Sequence, residues 1–207
     1  MSASAGREAE AVSGLSEALR HLERVLDLWD QVPRAQELAG VAISTLLTWA
    51  GELVSKGGAD PSRPGRLAVS EARELYPLVV VLETIAVRRA PTFDPAGLEA
   101  LREANRRMRA AAGDASAAGL ADDDFHARLT ANCPYTPLHE MLRHAKRALL
   151  RYEQVYMVEP ARIERSAAQH DEIVRVLERG DHAEAARLLR RNLTGGLPDL
   201  ADVLEAR

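Results

Sequence analysis

From about residue 71 onward the chain is a succession of apolar-periodic segments cut by short breakers, and this constrains the fold more than anything else in it. The segments cover roughly 71–90, 94–112, 121–132, 136–158, 160–179 and 181–193. The breakers are APTFDPAG, GDASAAGLADDD, NCPYTP, EP and RGD, each rich in the glycine, proline and aspartate that end or start helices. Six amphipathic helices joined by links this short can bury their stripes only by packing side by side, so an all-α antiparallel bundle is expected. In HDEIVRVLERGDHAEAARLL, the last two helices set Ile173, Val176 and Leu177 against Ala185, Leu188 and Leu189 on facing stripes, as a helical hairpin requires.

The glycine-proline stretch KGGADPSRPGRLAVS, Lys56 to Ser70, stops the periodicity and marks a boundary, giving residues 1–70 and 71–207 as two domains. The first part is also mainly helical, with SGLSEALRHLERVLDLW, PRAQELAG and ISTLLTWAGELVSK. Trp29 and Trp49 fall at apolar helical positions, where packing is the expected role.

Charge and cysteine content remove several function classes. The net charge of -4 gives no global attraction to nucleic acid, so any such contact needs a local basic patch. A single cysteine, Cys133, excludes an intrachain disulfide and a cysteine-cluster zinc site and suits a reducing compartment, so a cytoplasmic location is expected. The most apolar run, LVVVLETIAV, is interrupted by Glu83 and is too short to span a bilayer, and MSASAGREAE lacks the features of a signal peptide, so no membrane association is expected.

One short stretch carries chemistry. In DDDFHARL, Asp122 and His126 stand four apart, on one helical face a turn from each other, close enough to bind one cation together. Phe125 and Leu129 on the neighbouring stripe would anchor the helix to the core, with Asp123 and Asp124 pointing elsewhere. The spacing leaves a second reading open, in which Asp122 caps the helix, its neighbours favour the positive N-terminal end, and His126 is solvated. The cationic residues Arg143, Lys146, Arg147 and Arg151 form a basic face on the fourth helix, read as a solvated stripe. His139, His144 and His182 are read as surface or packing residues.

Taken together, LYPLVVVLETIAVRRA, GLEALREANRRMRAA, DDDFHARL, ANCPYTPLHEML, RYE and above all SAAQHDEIVRVLERGDHAEAARLLRRNL resemble the FCD domain, the C-terminal effector-binding domain of GntR-type transcriptional regulators of the FadR subfamily. The resemblance covers about residues 71 to 193. It implies a six-helix bundle with a central pocket that holds a divalent metal, zinc, nickel, manganese or iron, through an aspartate and three histidines. By position these are Asp122, His126, His170 and, where the third histidine should stand, Asn192. An amide oxygen is a poorer ligand than imidazole for zinc or nickel, so affinity or metal choice should change. Val79 stands where relatives often carry an arginine that clamps a carboxylate effector, one turn before Glu83; both are assigned to the effector pocket.

In that family a winged helix-turn-helix precedes the bundle, and PRAQELAG and SRPGRLAV resemble its penultimate helix and its wing. The recognition-helix candidate has nothing basic between Arg34 and Lys56, and residues 1–70 carry seven basic and nine acidic residues. Ser44, Thr45, Thr48, Arg63 and Arg66 are the remaining candidates for DNA contact, in a degenerate domain. The resemblance implies a homodimer that senses a small-molecule effector and controls operator binding. Two other functions fit the same residues. One is a metal-dependent enzyme that has lost DNA binding, since two histidines and one carboxylate form the ligand set of non-haem iron oxygenases. The other is an effector- or partner-binding protein without DNA.

Overall fold

The computed structural model describes residues 69–136, 138–143, 145–147 and 157–205, and side-chain burial within 76–195. Helices are α1 Val69–Arg89, α2 Pro95–Ala110, α3 Ala115–Thr130, α5 Pro160–Leu177 and α6 His182–Glu205. Between α3 and α5 the described part of 136–147 is also helical and is called α4. Among the described residues there is no strand, and no helix is long and apolar enough to cross a membrane. The six helices expected from the periodicity are all present.

Aspartates start three of them. Asp94 accepts from the Gly97 amide at 2.6 Å and is followed by Pro95, whose missing N–H costs nothing in the first turn. Asp114 accepts from the Ala117 amide at 3.0 Å, and Asp181 from the Glu184 amide at 2.9 Å. Helix α3 therefore begins at Ala115, six residues before the expected start. Asp122 is not its cap but lies two turns inside it, which overturns the capping reading of DDDFHARL. At the other end of α5, Gly180 takes φ +72°, a left-handed turn that a side chain would strain, and α6 leaves directly after it. Helix α6 continues past residue 193, where local propensity ends it, through Gly195 and Pro198 to Glu205.

Helix α1 is buried on every side from Leu78 to Val87, as a helix apolar all round must be. It packs most extensively against α6 and also meets α3, while α2 lies against α3 and α5, and α5 against α6. The core is formed where these faces meet: Val87, Leu101, Phe125, Leu129, Ile173 and Leu189 are essentially inaccessible. The expected hairpin stripe of α5 and α6 lies within this core. Polar residues are enclosed with it, among them Glu83 on α1, Asn105 on α2 and His170 on α5.

Candidate metal centre

Two turns inside α3, Asp122 and His126 face inward, and His170 approaches them from α5. Each offers a ligand atom within 4.8 Å of the others, and all three residues are buried. His126 Nε2 lies 3.9 Å from Asp122 Oδ2, and His170 Nε2 lies 3.6 Å from Asp122 Oδ1. The helical register explains the selection. Phe125 and Leu129 are fully buried and fix the rotation of α3, which turns Asp122 and His126 into the bundle. Asp123 and Asp124 leave on other faces, Asp123 pairing with Lys146 at 2.8 Å and Asp124 with Arg107 and Arg128.

The outer partners fix which nitrogen carries each proton. Asn105 Nδ2 donates to the Ala167 carbonyl at 2.9 Å and to Asp171 Oδ1 at 2.7 Å, so its Oδ1 is the atom facing His170 Nδ1 at 3.2 Å. That oxygen can only accept, so His170 carries its proton on Nδ1 and presents a lone pair at Nε2. His126 Nδ1 lies 2.6 Å from Glu83 Oε2 and must likewise donate to it. The two Nε2 atoms thus converge on one carboxylate, and His170 Nε2, wholly enclosed, makes no hydrogen bond of good geometry, the Asn192 amide being near enough only to act on its charge. Lone pairs facing a buried carboxylate repel unless a proton or a cation stands among them. This donor set fits a divalent metal, with the outer hydrogen bonds that such ligands normally make.

Without a metal, the electrostatics favour protons in its place on two of the three groups. Burial pushes the Asp122 carboxyl up, although His126 and Lys146 partly oppose it. His170 is pushed well below its ordinary range, first by burial and then by His126, with the Asn192 amide pulling the other way. Burial pushes His126 down, but the carboxylates of Glu83 and then Asp122 outweigh it and leave its pKa raised. Glu83 is the anchor. Burial raises its carboxyl, yet His126 and Lys146 more than compensate, and its pKa is lowered to about 2.

The family model of the FCD domain matches residues 74–195, more than half of the chain and all of the residues just described. The chain belongs to the FCD domain family. FCD domains are the effector-binding domains of GntR-family regulators. No curated protein and no solved structure matches the chain.

Within this FCD domain, the structure brings Asp122, His126 and His170 together. Asn192 is also buried, on α6; its Nδ2 donates to Gln169 Oε1 at 2.8 Å, which leaves the amide oxygen as the only atom it can offer a cation. Val79 and Glu83 are buried one turn apart on α1, and Glu83 is bound to His126 rather than free for a ligand. Ser44, Thr45, Thr48, Arg63 and Arg66 lie outside the described residues.

Lys146 departs from the solvated stripe expected of α4. Its side chain is only 13% exposed and its Nζ lies 3.1 Å from Glu83 Oε1, which ties α4 to the candidate site. Arg143 and Arg147, by contrast, are exposed. His182 packs, stacked on Phe93 with Nδ1 3.0 Å from the Val87 carbonyl, and His139 Nε2 lies 2.7 Å from the Cys133 carbonyl. Phe125 stacks on His170 with ring centroids 3.8 Å apart and buttresses that ligand.

Asn105 and Lys146 are the site residues that sequence reasoning missed. Asn105 left a trace, because Leu98, Leu101, Asn105 and Met108 are all buried at heptad-like spacing, and an amide in such a row needs partners. Lys146 left none, since a lysine in a basic run reads as solvated.

Proposed function

We propose that this chain is a ligand-responsive GntR-type transcriptional regulator, a cytoplasmic homodimer in which the FCD bundle, residues 71–207, holds one divalent cation through Asp122, His126 and His170. The observation that carries this reading is the wholly buried Nε2 of His170, aimed at Asp122 and without a hydrogen bond of good geometry. The cation would supply Lewis-acid positions for a small-molecule effector. Asp122 supplies the anionic ligand, His126 and His170 supply neutral nitrogens, and Glu83 holds His126 in the binding tautomer while its own charge is balanced by Lys146. Val79 is assigned to the effector pocket, one turn from Glu83, which acts through His126 rather than on the effector. Asn192, with its Nδ2 committed to Gln169, would complete the set through its amide oxygen.

Effector binding changes DNA affinity only if the effector favours one arrangement of the two halves of the dimer. Residues 1–70 form the DNA-binding half in this reading, through Ser44, Thr45, Thr48, Arg63 and Arg66. The experiment is selection of genomic DNA fragments by the full chain at low salt, with metal loaded or chelated. A preferred sequence is expected, with binding weakened by salt and by Arg63→Ala or Arg66→Ala. Absence of any sequence preference would defeat the DNA half of the proposal.

A second reading is favoured by one observation: among the described residues two imidazoles and one carboxylate converge, as in non-haem iron oxygenases, which leaves positions for both oxygen and substrate. Iron as the bound metal, together with no operator, would select it.

A further inference from the structure

The partners of His170 do not stop at Asn105. Asp171 accepts from Asn105 through Oδ1 at 2.7 Å and from Arg109 Nη2 through Oδ2 at 2.8 Å. Arg109 in turn donates to Glu164 at 3.1 Å. Asn105 is 1% exposed, whereas the side chains of Asp171 and Arg109 are 43% and 31% exposed. A continuous hydrogen-bonded path therefore joins a ligand atom in the core to two groups at the surface.

The two histidines are held differently. His126 faces a carboxylate, which accepts in either orientation. His170 faces an amide, whose two ends have opposite roles. If the Asn105 amide turned over, its NH2 would face His170 Nδ1. That nitrogen would then have to accept, and the proton would move to Nε2, closing the lone pair that faces Asp122. The Ala167 carbonyl and the Asp171 carboxylate, both acceptors, prevent the turn.

We infer that Asn105 is the positioning residue that keeps His170 in its metal-binding tautomer, and that the half-exposed Asp171–Arg109 pair holds Asn105 in place and so tunes the centre from the surface. The inference about metal affinity rests on the proposed metal centre; the inference about the tautomer does not.

The test uses the full chain with 15N-labelled histidine, freed of metal by chelator. Long-range 1H–15N correlation reads the tautomer of His170, and competition with a chromophoric chelator reads zinc affinity. The variants are Asn105→Leu, which fits the apolar row of α2, Asp171→Ala, which alters a half-exposed position, and the exchange Asn105→Asp with Asp171→Asn. In the exchange the new carboxylate accepts both from His170 Nδ1 and from the new amide, so the tautomer should be restored, at a cost in stability because the Ala167 carbonyl loses its donor.

The wild type should show the proton on Nδ1. Asn105→Leu should move His170 toward the Nε2 tautomer and weaken zinc binding by about 10- to 100-fold, the usual effect of removing an outer partner. Asp171→Ala should move both readouts the same way by less, and the exchange should recover them. An unchanged tautomer in both Asn105→Leu and Asp171→Ala would overturn the inference, as would a shifted tautomer with unchanged zinc affinity. If the wild type binds neither zinc nor manganese nor iron, the metal centre fails as a reading, and the tautomer alone decides the role of Asn105.

Discussion

Replacing Glu83 by glutamine isolates the contribution of one buried charge. The variant keeps the volume of the side chain and an oxygen that can accept from His126 Nδ1, now 2.6 Å from Glu83 Oε2, but it removes the anion. Lys146 then loses the Glu83 carboxylate as a counterion while keeping Asp123, at 2.8 Å. In the metal-free protein the Glu83 carboxyl is lowered from 4.5 to about 2. A shift of that size corresponds to about 3 kcal/mol of stability. Because the folded value lies below the unfolded one, this contribution is complete above pH 4.5 and disappears as pH falls toward 2. Urea unfolding in chelator at pH 7 should thus show Glu83→Gln less stable than wild type by about 3 kcal/mol, similar to other broken buried pairs. The gap should narrow as the pH is taken below 4.5. With metal present a second loss appears, because a carboxylate behind an imidazole makes it a better ligand. Affinity should fall by about 10- to 100-fold, or about 1.4 to 2.7 kcal/mol. Equal stability and equal metal affinity in the two proteins would refute the role assigned to Glu83.

Further outcomes follow from the same geometry. Asp114→Ala should cost about 1 kcal/mol in thermal or urea unfolding as a lost N-cap, and an unchanged midpoint would show that the cap contributes nothing. Metal affinity should rise with pH and level off above the range in which His126 loses its proton, because burial raises Asp122, Glu83 outweighs burial to raise His126, and both must be unprotonated to bind. Calorimetry in buffers of different ionisation enthalpy would measure the released protons, and affinity independent of pH would contradict the ligand set. Gly180→Ala should destabilise the turn between α5 and α6 by about 1 kcal/mol, since φ +72° is left-handed; an unchanged midpoint would show that the turn relaxes freely.

Much of the bundle was legible because its helices keep strict apolar periodicity between strong breakers. The hairpin of α5 and α6 follows directly from Ile173, Leu177, Ala185 and Leu189, all of which are buried. The start of α3 was misread because three consecutive aspartates before a hydrophobic residue have the composition of a helix start. Asp114 supplies the cap instead, and ASAAGLA is alanine-rich enough to be helical before the acids begin. The far end of α6 was truncated for the opposite reason. Glycine and proline have poor local propensity, but the helix runs on to Glu205, and its partner α1 packs against it.

For the site, spacing placed Asp122 and His126 on one face, but nothing local to α3 could bring His170 beside them. That pairing came from the resemblance, and it depends on how α5 lies across the bundle. Glu83 was visible as the lone acid in LVVVLETIAV, and its partner was not, because the contact with His126 spans 43 residues of chain. Lys146 shows the limit most clearly. Its neighbours Arg143 and Arg147 are exposed as a basic stripe should be, and only the position of α4 against α1 turns one cation of the run inward.

The account depends most on whether Asp122, His126 and His170 hold a cation. The direct measurement is the metal content, by elemental mass spectrometry, of the full chain purified without added chelator or metal, beside His126→Ala and His170→Ala. One equivalent of a divalent transition metal in the wild type, lost in both variants while their helical circular dichroism persists, is the predicted result. Metal absent from the wild type, or retained unchanged in both variants, would contradict it.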